Sequence, residues 1–144
     1  MRFEMIQEIL ILNKAGIALF YHSFTDRKIL DIQIVASFID LICRFTRGNL
    51  NVSLKSFTLK DRKIIFYSHK SGYHVVFICK IKPYKEKLFK NLADILIKKF
   101  LNLYKNELKD FNGEISTFRS FSQIVEQTIN PKFLDMKKIP TIEY

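Results

Sequence analysis

Glycine, proline and cysteine are scarce in this chain: four, three and two in 144 residues. So few glycines and prolines, with no internal repeat and no biased segment, exclude a flexible linker, a fibrous repeat or a disordered class. The glycine patterns of phosphate and dinucleotide sites are missing as well: there is no P-loop and no GxGxxG. Nor is there a GxSxG or an HExxH. The two cysteines, Cys43 and Cys79, sit in apolar patterns without CxxC spacing or a nearby histidine pair, which points to buried thiols rather than zinc or a disulfide. No uncharged apolar run approaches the ~20 residues of a membrane span, and Glu4 and Glu8 break any leader-like start. The expected location is the cytoplasm, with peripheral contact at a membrane as a secondary expectation.

What is present is apolar and basic. The net charge is +10, which invites a nucleic-acid or anionic-membrane partner. The excess is mostly lysine, accompanied by abundant Ile, Phe and Asn, a pattern that a genome-wide compositional bias produces. It is also spread out. Only KIKPYKEKLFK is a cluster, and Lys80, Lys82, Lys85, Lys87 and Lys90 are the candidate anion-binding residues, with Tyr84 and Phe89 between them. Aromatics among lysines can stack on bases, but Phe89 also fits the apolar stripe of the helix that follows. A solvated face is the commoner fate of such a run, and nucleic acid is not the favoured partner.

Periodicity gives the elements. MIQEILILNK and GIALFYHSF read as two strands joined by a turn at Asn13 to Gly16, where glycine supplies a positive φ. Asp31 is a fitting N-cap, or Thr25 if the helix starts a turn earlier, for a helix that Gly48 would stop. NVSLKSFTL, KIIFYSH and YHVVFICKI follow as three strands with short turns, and the last is apolar on both faces, as a central strand requires. Pro83 opens a long helix, YKEKLFKNLADILIKKFLNLYKNEL, with Leu88, Phe89, Leu92, Ile95, Leu96, Phe100, Leu103 and Tyr104 at a 3.6 period. STFRSFSQIVEQTI supplies the last helix. The order β-β-α-β-β-β-α-α predicts an α+β domain over 1–130: a five-stranded antiparallel sheet with one helix on one face and two on the other. Residues 131–144 read as a tail that lies along the domain or stays loose.

The first helix, DIQIVASFIDLICRF, carries more apolar surface than one neighbour requires. At 100° per residue, Gln33, Ser37, Asp40 and Arg44 share an arc of roughly 60° and the rest of the circle is apolar. A surface helix needs a stripe of about 100° or somewhat more. Ile32, Val35, Ala36, Ile39, Ile42 and Cys43 form one stripe; Ile34, Phe38, Leu41 and Phe45 form a second beside it. The angles alone leave open which flank faces outward.

GIALFYHSF followed by that helix, after a first strand of the form ILIL, resembles the longin domain and its smaller relative, the roadblock domain. The resemblance spans about residues 5 to 130 and rests on the pattern of elements. It is similar to the compact stand-alone versions known from archaea. It implies a sheet ordered 2-1-5-4-3, which agrees with the two-sided apolarity of the first and fifth strands. It also implies a non-enzymatic adaptor in small-GTPase regulation or membrane trafficking, needing no cofactor. Its expected partners are a second copy or a related longin or roadblock protein, and a small GTPase. No coiled-coil segment follows the last helix in this sequence, so a full SNARE is not expected. In the family, the first helix and the third strand commonly form the partner surface, which makes Ile34, Phe38, Leu41, Phe45, Ser53 and Lys55 the interaction candidates. The bland alternative is that loops or the tail of the chain itself cover the second stripe.

The histidines, His22, His69 and His74, have no Cys, Asp or His at ligand spacing, and no Ser–His–Asp set suggests itself. Asp26 and Asp31 flank a helix start, where the helix dipole is reason enough for carboxylates.

Overall fold

The structure, a computed structural model, describes residues 5–26, 28–29, 31–50, 55–81 and 85–129. Strand β1, Ile6–Leu12, is apolar on both sides, and that decides its place. It lies inside a five-stranded sheet of order β2-β1-β5-β4-β3, pairing antiparallel with β2, Ala18–Ser23, and with β5, His74–Lys80. Strand β4, Arg62–Ser68, follows β5, and the short β3, Ser56–Thr58, closes the far edge. Strand order and element order are those that the resemblance to longin and roadblock domains implied.

Alternation along the strands builds two cores. Leu10, Leu12, Ile64, Phe66, Val76 and Ile78 face one way and meet Ala36 and Ile39 of helix α1, Ile32–Asn49. Ile9, Ile11, Ile65, Val75, Phe77 and Cys79 face the other way and meet helices α2, Glu86–Leu103, and α4, Phe121–Ile129. Burial pushes the Cys79 thiol up to about 12, so it stays protonated; Cys43, also expected to be buried, is only partly so.

Three elements differ in detail from their sequence reading. The long second helix ends at Leu103 and a separate turn of helix, α3, Lys105–Lys109, follows. The break is at Tyr104, whose ring turns inward against Phe100 and Phe118 at 5.1 Å each and whose hydroxyl meets Ser120 Oγ at 2.6 Å. The last helix begins as a 3-10 turn, Ser116–Ser120, before α4. Gly48 does not stop α1: the helix runs to Asn49, and the Leu50 N–H still donates to the Thr46 carbonyl at 3.1 Å. The tail from residue 131 falls outside the described residues.

The β1–β2 turn does form on Asn13 and Gly16. Asn13 Oδ1 accepts the Ala15 and Ile17 amides at 2.9 and 3.0 Å, and Gly16 sits at φ 82°. A Cβ at Gly16 would fall 2.7 Å from Asp40 Cγ on α1. Gly16→Ala should therefore lower stability by about 1–2 kcal/mol from the backbone alone, and by more once Asp40 is displaced. Urea denaturation reads this directly, and an unchanged midpoint would mean that the turn tolerates a side chain.

Candidate functional site

Helix α1 is fixed to the sheet by polar ties before its apolar face is considered. Asp31 caps it, Oδ1 accepting the Gln33 and Ile34 amides at 3.0 and 3.2 Å. The Gln33 side chain reaches the edge strand β2, accepting the Ala18 N–H and donating to the Ala18 carbonyl, both at 2.9 Å. At the other end Arg44 donates to Asp40 at 2.7 Å and to the Lys14 carbonyl at 3.2 Å, holding the helix on the hairpin turn. The segment leading into α1 is held as well: the Tyr21 hydroxyl accepts the Ile29 N–H at 3.0 Å and donates to the buried Glu8 carboxylate at 2.5 Å. Burial, then the Glu8 carboxylate, push the Tyr21 phenol up, so it keeps its proton for that bond.

With α1 so held, its two apolar flanks separate. Ala36 and Ile39 are buried against the sheet, with Ile32, Val35 and Cys43 beside them. Ile34, Phe38, Leu41 and Phe45 point outward, 67%, 50%, 63% and 51% exposed. The question that helical angles left open is settled in the outward sense. Phe38 lies edge-on to Phe57 of β3 at 6.1 Å, and Phe57 lies 5.5 Å from Phe66 of β4. An aromatic track thus runs from the outer face of α1 across the edge strand into the core. Lys55 stands exposed beside β3 and is paired with Glu86 at 2.9 Å; Ser53, the sixth candidate, lies outside the described residues. Contiguous apolar surface of this kind is uncommon on soluble monomers and marks interaction sites.

The lysine set is less organised. Lys80, Lys85, Lys87 and Lys90 are exposed, while Lys82 and Tyr84 lie outside the described residues. Phe89, the aromatic that would stack on a base, is buried in the core against Phe77 at 5.3 Å. Each histidine has a hydrogen-bond partner: His69 bonds Ser71 and His74 bonds Ser68 nearby in the chain, while His22 bonds both Ser122 and Glu126 of α4. His22 thereby ties β2 to α4, a link between residues 100 apart that no sequence spacing announces. Among the described residues no group of three or more His, Cys, Asp or Glu could hold a metal ion, and no helix is long and apolar enough to cross a membrane.

No protein-family model matches the chain, and no curated protein matches it in sequence. Among solved structures it is similar to the gliding protein MglB of Thermus thermophilus, with 10% identity and a TM-score of 0.45 over 52% of this chain. The chain spans about three fifths, 61%, of that protein. It is also similar to a Roadblock/LC7 domain from Streptomyces avermitilis, with 11% identity and a TM-score of 0.46 over 69% of this chain and 85% of that one.

Neighbouring positions on α1 should respond very unequally to a polar side chain. Phe38→Ser should lower stability by about 1 kcal/mol or less, the worth of its edge contact with Phe57. Ile39→Ser, one residue on, places a hydroxyl in the core and should lower it by more than about 3 kcal/mol. Thermal unfolding of the two variants side by side checks this, and equal losses would contradict the assignment of faces.

Proposed function

We propose that this protein is a non-enzymatic adaptor that works by pairing through α1 and the adjoining edge strand β3, with a second copy or with a related longin or roadblock protein. The observation that carries the reading is the row Ile34, Phe38, Leu41 and Phe45, each at least half exposed on a helix otherwise anchored to its own sheet. Its continuation through Phe57 onto an outermost strand adds a second means of association, because an edge strand offers unpaired backbone groups to another chain. Both features lie on one side of the domain, so one partner engages both at once.

The setting, small-GTPase regulation or membrane trafficking, is what the resemblance to longin and roadblock domains implies, and a small GTPase is the second partner of the proposal. The lysines of α2 lie across the sheet from this face. A phosphate-binding role for them finds little support, since their interleaved aromatic Phe89 is withdrawn into the core.

Light scattering after size exclusion at physiological salt, where surface charges are screened within about 8 Å, tests the pairing. The chain should run at twice its monomer mass, and Phe38→Asp or Leu41→Asp should return it to the monomer while leaving its melting temperature within a few degrees. Raising salt to about 0.5 M should leave the dimer intact or tighten it, because burial of apolar surface is not screened. A dimer that dissolved at high salt, or one that survived both substitutions, would place the contact elsewhere.

A further inference from the structure

Between α3 and the 3-10 turn the chain runs through a loop whose two ends are anchored: Phe111 and Ile115 pack against the core on the α2 side. Asn112, Gly113 and Glu114 are exposed between them. Asn112 is the one asparagine of the chain that is followed by glycine. Its Oδ1 accepts the Glu114 amide at 3.0 Å, which folds the carboxamide back over its own backbone. Gly113 sits at φ 98°, and a Cβ there would meet nothing within 4 Å, so no neighbour crowds this peptide. Its N–H makes no hydrogen bond among the described residues. The requirements of an intramolecular ring closure thus meet at one peptide. The nucleophile is uncommitted, the residue that carries it has no side chain to block its approach, and a donor faces the oxygen on which charge develops.

We propose that Asn112 is a modification site, at which the folded chain converts itself to aspartyl and isoaspartyl forms with water as the only co-reactant. The Gly113 N–H gives its proton to solvent hydroxide, and the nitrogen attacks Asn112 Cγ. Oδ1 then carries the charge of the tetrahedral intermediate, facing the Glu114 N–H. Collapse breaks the Cγ–Nδ2 bond, and Nδ2 leaves as ammonia with a proton taken from water. Water opens the resulting cyclic imide. Addition at Cγ leaves aspartate; addition at the Asn112 backbone carbonyl leaves isoaspartate, whose main chain is longer by one carbon. Either product sets a new carboxylate between Asp110 and Glu114, and the second lengthens the path between the anchors Phe111 and Ile115. The other described asparagines lack the combination. Asn13 Oδ1 accepts two amides, but Lys14 follows it; Asn91 and Asn102 lie in α2, where the next N–H bonds the preceding turn. The loop belongs to the α2 side, so the change leaves the outward row of α1 untouched and its test does not depend on whether the chain pairs.

The experiment holds the full folded chain for some weeks at about pH 6 and about pH 9, beside a sample unfolded in urea, and follows each asparagine by peptide mass spectrometry. Residue 112 should gain about one dalton in the folded chain, faster at the higher pH because the attacking amide must lose its proton. Part of the product should accept a methyl group from an isoaspartyl methyltransferase, the mark of the longer main chain. Asn13, Asn91 and Asn102 should convert at least about tenfold more slowly. Asn112→Gln, altered at an exposed side chain, should keep its fold and stay unconverted, since closure would need a larger ring. The proposal is overturned if Asn112 survives in the folded chain, whether or not the urea sample converts, if Asn13 converts as fast, or if the rate is the same at both pH values.

Discussion

Strands β1 and β5 carry large apolar side chains on both faces, and neither face can be left in water. Ile9, Ile11, Val75 and Phe77 are fully buried on one side, Leu10, Leu12 and Val76 on the other. Each face therefore demands its own helical cover. On the α2 side the cover is generous: Phe100 sits within 5.3 Å of Tyr104, Phe118 and Phe121, an aromatic cluster in mutually tilted or edge-on contacts. On the other side α1 is the one covering helix among the described residues, with Ile29 packed beside it. One helix laid on a broad sheet buries one flank and turns the opposite flank to solvent, so the exposed row of α1 is a geometric result of the two-faced sheet.

Whether such a row is a defect or a surface depends on how firmly its helix is held. Here α1 is secured by groups that owe nothing to its apolar stripe: the Gln33 amide on Ala18, Arg44 on the Lys14 carbonyl and, upstream, Tyr21 between Ile29 and Glu8. Glu8 is the expensive member. Its side chain is 3% exposed; Arg62 stands 3.7 Å from one oxygen, too long for a hydrogen bond. A carboxylate in that position is tolerated because Tyr21 shares its charge, and it makes the path into α1 specific where apolar contacts alone would allow sliding. Side chains at Ile34 or Leu41 can consequently be polar or apolar with little effect on how the helix sits.

The parts of this arrangement that follow a period were legible in the sequence. Two-sided apolarity placed β1 and β5 centrally, the 3.6 period separated the flanks of α1, and Asp31 announced its start. What escaped was decided by contacts between distant segments. Gln33 falls in the polar arc of the helix, and a polar residue on a helix has no signature that distinguishes water from a strand edge. Glu8 entered the sequence reading only as a charge that breaks a leader-like start, and its burial depends on a tyrosine 13 positions away. Tyr104 continued the helical period faithfully, yet the pull of the aromatic cluster ended α2 before it. Gly48 obeyed the opposite logic: its freedom to stop a helix went unused, and the helix runs through it to Asn49, where an added Cβ at Gly48 would meet nothing within 4 Å.

The two borders of the sheet are not equivalent. At β2 the Gln33 amide occupies the Ala18 peptide as a neighbouring strand would, while β3 lies outermost with no such guard among the described residues. A molecule with two receptive borders adds further copies without limit, strand upon strand, and becomes a fibre. The Gln33 amide guards one peptide of β2, so the β3 border is the more receptive of the two.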